Sequence, residues 1–187
     1  MSTPLRILFL EDSPEDALLN ERALKKSGLM FESLRVETQE AYLQALSAFH
    51  PDLVLADYQL PTFDGLQALT LLREIDHSMP FIFVTGAMGE EMAVKTLHHG
   101  ADDYILKDRL HRLPAAVNGA LQAAAQRRAL HQANIAREHQ SARALALLQL
   151  PKLSETRNEA DFMEHALGML SRLTGSDVAF IHFVHAE

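Results

Sequence analysis

Four short, nearly continuous apolar runs each end on a residue that carries chemistry. Leu5-Arg6-Ile7-Leu8-Phe9-Leu10 leads into Glu11-Asp12, and Leu53-Val54-Leu55-Ala56 leads into Asp57. Phe81-Ile82-Phe83-Val84 leads into Thr85, and Tyr104-Ile105-Leu106 into Lys107. Runs this short and this β-prone suit parallel strands covered on both faces. Helical patterns separate them, which predicts βαβ units and an α/β sheet. Ligands bind such sheets outside the carboxyl ends of the strands. Three acids, a hydroxyl and a lysine would meet there, a set suited to divalent-metal binding and phosphoryl transfer.

Local signals define the helices between the runs. Ser13 and Pro14 form an N-cap and first-position pair, with Asp16 in the first turn, where the helix dipole favours an acid. Ala17, Leu18, Ala23 and Leu24 make an apolar stripe, and Lys25-Lys26-Ser27-Gly28 ends the helix. An edge strand is expected over 31–37, where Leu34 and Val36 alternate with polar residues. Thr38 caps a helix carrying Ala41, Tyr42, Ala45, Leu46 and Phe49. A third helix starts at Asp64-Gly65 and carries Leu66, Leu69, Leu72 and Ile75. A fourth runs through Glu90, Glu91, Met92, Ala93, Val94 and Leu97 to Gly100.

Four motifs follow one another at consistent separations. They are Phe9-Leu10-Glu11-Asp12-Ser13-Pro14, Asp57-Tyr58-Gln59-Leu60-Pro61-Thr62-Phe63-Asp64-Gly65, Val84-Thr85-Gly86 and Gly100-Ala101-Asp102-Asp103-Tyr104-Ile105-Leu106-Lys107. Together they resemble the receiver domain of two-component response regulators, over residues 4–125. The resemblance implies a (βα)5 doubly wound parallel sheet of flavodoxin-like order 2-1-3-4-5. Strands 1 and 3 would then flank the topological switch point. It also implies phosphorelay signalling, with Asp57 accepting a phosphoryl group from a sensor histidine kinase or a histidine phosphotransfer protein.

The same resemblance implies the other roles. Glu11, Asp12, Asp57 and the backbone carbonyl of Gln59 would hold Mg2+, and Lys107 would bind a phosphoryl oxygen. Thr85 and Tyr104 match the family's switch positions, through which the fourth-helix, fifth-strand and fifth-helix face is remodelled. Crowded together, Glu11, Asp12 and Asp57 repel and raise at least one carboxylate pKa, a conflict that a bound cation removes. One departure stands out: the family's lysine is usually followed by proline, and here Asp108 follows.

Other readings fit less well. A magnesium phosphatase with an aspartyl nucleophile needs a second aspartate two residues on, and that position is Gln59. An FMN carrier would meet an acidic loop at Glu11-Asp12 that repels its phosphate. The chain therefore reads as a phosphoacceptor domain and not as an enzyme in its own right. The alternative is a receiver fold used for phosphorylation-independent docking or dimerisation.

Beyond Lys107 the character changes. Pro114 suits a first helical turn, and 115–150 contains no proline and only Gly119. A long helix is predicted, with 126–150 as linker. One heptad seam, from Val117 to Gln149, is apolar at about half its positions, too few for a zipper. A homodimer through the long helix or the switch face is compatible with the sequence. Pro151 is expected to interrupt the helix. An amphipathic helix with Phe162, Ala166, Leu167, Leu170 and Leu173 follows, then a Thr174-Gly175-Ser176-Asp177 turn and a strand over 178–184. Residues 151–187 resemble the start of a GAF domain, incomplete here.

Composition adds bounds. The 187 residues carry a net charge of -8, no cysteine and no run long enough to span a membrane. Disulfides are excluded, a broad nucleic-acid surface is disfavoured, and a cytoplasmic protein with no membrane partner is expected.

Overall fold

The computed structural model describes residues 4–61, 63–86, 96–156 and 159–174. Its elements alternate as β1 Leu5–Leu10, α1 Pro14–Lys26, β2 Phe31–Val36, α2 Gln39–Ala48, β3 Leu53–Ala56, α3 Gly65–Ile75, β4 Phe81–Thr85 and β5 Asp103–Leu106. The five strands form one sheet in the order β2-β1-β3-β4-β5, every neighbouring pair parallel. A 3-10 turn, Lys107–Arg112, follows β5 and leads into a long helix, Leu113–Thr156, and then a terminal helix, Glu159–Thr174. Residues 1–128 form one compact unit and 129–187 a second.

The unbroken apolar runs follow from burial on both faces. In β1, β3 and β4 alternate side chains enter two different cores. Leu8, Leu10, Val54, Ala56, Phe81 and Phe83 pack with Tyr42 of α2 and Leu69 and Leu72 of α3. Ile7, Phe9, Leu53, Leu55, Ile82 and Val84 pack with Leu24 of α1 and with Leu113 and Val117 of the long helix. The edge strand β2 lacks this double cover, and its interior residues are exposed.

The predicted caps form. Ser13, Thr38 and Asp64 each accept a hydrogen bond from the backbone N–H three residues on. Gly28 closes α1 with a positive φ of 84°, a conformation open to glycine at no steric cost.

Three expectations are corrected. In α1 the buried positions are Ala17, Asn20 and Leu24, whereas Leu18 is 51% exposed. The inward stripe thus follows the helical spacing through a polar residue. Pro151 does not interrupt the long helix, which continues to Thr156. A proline removes one backbone donor, and the helix-forming alanine, leucine and glutamine around it sustain the turns on either side. Ile75, at the end of α3, is exposed and not core. Of the expected fourth helix, 96–98 are helical and 90–95 lie outside the described residues. The 175–177 part of the expected turn and the 178–184 strand also lie outside them.

At the amino-terminal end of β5, Asp102 gathers two arginines. Its Oδ1 pairs with Arg127 of the long helix at 2.8 Å, and its Oδ2 lies 3.5 Å from Arg73. Oδ2 also accepts the Phe81 N–H at 2.9 Å. Arg73 further donates to the carbonyls of Asp76, Met79 and Gly100. Asp102→Ala removes the carboxylate paired with the partly buried Arg73 and leaves the Phe81 N–H without its acceptor, and is expected to cost about 2 kcal/mol in urea unfolding. Arg127→Ala removes a partner that is half in water and is expected to cost less than about 1 kcal/mol.

Candidate functional site

The carboxyl edge of the sheet collects the predicted residues. Leu10 of β1 pairs in register with Ala56 of β3, so Glu11 and Asp57 leave the sheet side by side. The Asp57 N–H donates to the Leu10 carbonyl at 2.8 Å, which extends the ladder to the last residue. Across β4 and β5, Thr85 pairs with Leu106, and Lys107 follows directly.

Lys107 is the hub. Its ammonium donates to Asp57 Oδ2 at 2.6 Å, to Asp16 Oδ2 at 2.6 Å and to Glu11 Oε1 at 3.3 Å. Burial pulls the pKa of Lys107 down, but the hydrogen bonds to Asp16, Asp57 and Glu11 outweigh it and hold the ammonium above the usual lysine range. The remaining Asp57 oxygen, Oδ1, accepts the Gln59 N–H at 3.2 Å.

Glu11, Asp12 and Asp57 each bring a carboxylate oxygen into one group spanning no more than 4.8 Å. Glu11 Oε2 is buried and accepts no hydrogen bond, though it lies 3.0 Å from the Lys107 ammonium, out of line for one. With the ammonium as its close partner and no hydrogen bond accepted, that oxygen has lone pairs left for a second cation. The donors are all hard oxygens, as Mg2+ requires, and the residues fit that ion.

Backbone packing holds the acids in place. Arg35 reaches from the edge strand β2 to donate to the carbonyls of Glu11 and Asp12, at 2.8 and 3.3 Å. Gly65, at the start of α3, sits against the Asp57 backbone. A β-carbon there would overlap the Asp57 carbonyl oxygen and approach Phe83 Cε1 to 2.7 Å. Glycine at 65 is thus a condition for α3 to start beside the acid.

Thr85 is buried at the end of β4, on the same edge, and among the described residues it stands outside the Lys107 hydrogen-bond network. Tyr104 is partly buried against the core that contains Phe83. The Lys107–Asp108 bond is trans, and the chain turns at once into the 3-10 segment.

Two site residues escaped the sequence reading. Asp16 registered there only as a first-turn acid, and its contact with Lys107 spans 91 residues of sequence. Arg35 lies on an exposed strand, and no local pattern marks its reach to the loop.

Comparisons with known proteins agree with this fold. The response regulator receiver domain family matches residues 7–118. The transcriptional regulatory protein TrcR of Mycobacterium tuberculosis is 36% identical over 123 residues, which cover 64% of this chain and 46% of that protein. The transcriptional regulatory protein MalR of Bacillus subtilis is 34% identical over 104 residues, covering 55% and 44%. The chain thus spans less than half the length of these curated relatives. Among solved structures, a CheY-like response regulator receiver domain protein from Methanospirillum hungatei superposes with a TM-score of 0.58 at 25% identity, covering 67% of this chain and 99% of that one. NtrX from Brucella abortus gives a TM-score of 0.61 at 25% identity, covering 70% and 29%.

Two predictions follow from the geometry. Gly65→Ala is expected to cost about 2 kcal/mol in urea unfolding, because the added methyl meets backbone that cannot yield. The second concerns pH. Burial raises the pKa of Glu11; the hydrogen bond and charge of Lys107 oppose the rise, Asp57 adds to it and the Ser13 N–H opposes it, and the net result is raised. Between the ordinary and the raised value, the folded, metal-free protein therefore holds the Glu11 proton more than the unfolded chain does. The stability this group contributes is present below its ordinary value of 4.5 and falls as pH rises through the raised value. In urea unfolding with chelator, Glu11→Gln is expected to flatten that fall, and identical slopes in both proteins would contradict the assignment.

Proposed function

Because the chain belongs to the response regulator receiver domain family, we propose that it works in phosphorelay signal transduction, with Asp57 as the phosphoacceptor. The donor is a phosphohistidine on a sensor histidine kinase or a histidine phosphotransfer protein. The observation that carries this reading is the Lys107–Asp57 contact of 2.6 Å inside a cluster of further carboxylates at the sheet's carboxyl edge.

An Asp57 carboxylate oxygen attacks phosphorus in line. The new O–P bond forms as the N–P bond to imidazole breaks, and the electron pair leaves on the imidazole nitrogen. Lys107 turns one of its N–H donors from the carboxylate to a phosphoryl oxygen, where its compact charge offsets the charge that develops. Glu11, Asp12, Asp57 and the Gln59 carbonyl would hold Mg2+, which would supply neutralisation of charge on the incoming group. The Gln59 N–H keeps the Asp57 side chain oriented through Oδ1. Thr85 turns its hydroxyl toward the phosphoryl group, and Tyr104 closes inward and reshapes the neighbouring face.

The signal leaves through the long helix toward an output region. The amphipathic terminal helix, Glu159–Thr174, supports a GAF-like start to that region. A homodimer through the switch face or the long helix, and a cytoplasmic setting, complete the proposal. No described helix is long and apolar enough to cross a membrane.

Acetyl phosphate with Mg2+ is expected to add one phosphoryl group by intact mass, and Asp57→Ala or chelator to abolish it. Lys107→Ala is expected to slow the modification roughly a hundredfold, the scale of losing one charge-stabilising donor. Wild-type protein that takes up no phosphoryl group and fails to bind beryllofluoride would instead establish a docking module.

A further inference from the structure

Asp16 shares Lys107 with Asp57 on equal terms. Both contacts measure 2.6 Å, and Asp16 reaches Lys107 across 91 residues of sequence. An ammonium has three N–H donors, and Asp16, Asp57 and Glu11 occupy all three. Lys107 therefore has no spare donor for an incoming phosphoryl oxygen, so one contact must be released.

The three partners differ in what else they can do. Glu11 and Asp57 belong to the carboxylate group able to hold a cation, and Asp16 is not part of that group. A divalent ion there would engage Glu11 and Asp57 and would repel the ammonium beside them. Asp16 is then the carboxylate left to Lys107 alone. Its backbone is well fixed. The Asp16 N–H donates to the Ser13 hydroxyl at 3.2 Å, and Pro14 starts the helix. Its side chain is 33% exposed, while that of Lys107 is 19% exposed.

We propose that Asp16 is the positioning residue for Lys107, holding the ammonium at the phosphoacceptor edge while Asp57 and Glu11 are given over to the cation and the phosphoryl group. This rests on the reading of Asp57 as phosphoacceptor. Asp16 touches no reacting atom and acts only through the lysine. Without it the flexible lysine stem has no fixed partner once the metal is in place.

The test is a double-mutant cycle of Asp16 with Lys107, read as the acetyl-phosphate phosphorylation rate at saturating Mg2+. Asp16→Ala is expected to slow the reaction about tenfold, the scale of one charge-assisted hydrogen bond. Asp16→Asn, which keeps an acceptor and loses the charge, is expected to recover part of the loss. On the Lys107→Ala background, Asp16→Ala is expected to have no further effect. Circular dichroism and thermal melts check folding, and Asp16→Asn carries the test if the alanine variant is unfolded. A rate within about twofold of wild type in the folded variants, or an equal loss without Lys107, overturns the proposal. A wild-type protein that accepts no phosphoryl group overturns the phosphoacceptor reading itself, and this inference with it.

Discussion

The carboxyl edge of the sheet depends on one cation. Glu11, Asp12, Asp16 and Asp57 bring four carboxylates to the end of β1, the start of α1 and the end of β3, and Lys107 is the lysine that joins three of them. Bringing acids together in a place poor in water costs free energy for each charge, and a single lysine cannot offset it all. The surplus of carboxylates over cations leaves the site poised for a further cation. The proposed function draws on that incompleteness as a salt-bridge cluster.

The sheet makes that concentration of charge tolerable. Parallel strands end in register at one edge, so their last residues meet without distortion of the ladder. The two cores on either face lock those strands through nearly every apolar side chain in them. At the opposite end, Asp102 is joined to Arg73 and Arg127 in a cluster with cations in excess and several carbonyls as acceptors. The ends of the sheet therefore contrast. One is closed by its own partners, and the other is left open.

Much of this was legible in the sequence because strands buried on both faces write themselves as continuous apolar runs. Their ends then locate Glu11, Asp12, Asp57, Thr85 and Lys107 with little ambiguity. The caps at Ser13, Thr38 and Asp64 were equally plain, since each places a side-chain acceptor three residues before an N–H that lacks one. Strand order was available only through the resemblance, because local patterns carry no information on which strands neighbour each other. Asp16 and Arg35 were missed for a related reason. Each acts across a long stretch of sequence on a backbone or ammonium that no local spacing marks. Leu18 and Asn20 show a different limit. Helical spacing selects a face, but which neighbouring residue turns inward depends on what the helix packs against.

The connection between site and long helix is short and covalent. Lys107 is both the hub of the carboxylates and the first residue of the 3-10 segment that delivers the chain to Leu113. Leu113 and Val117 are fully buried in the core beneath β1, β3 and β4, so the first turns of the helix cannot shift without disturbing that core. A change in what Lys107 holds is therefore resisted by packing at the helix start. It is expressed more readily in the six-residue segment Lys107–Arg112, which has no buried residue and already departs from helical geometry at Arg109. Under the proposed function this segment is where a rearranged ammonium contact becomes a backbone movement. Within the first compact unit, Arg127 of the long helix is held by Asp102, fourteen residues beyond Leu113.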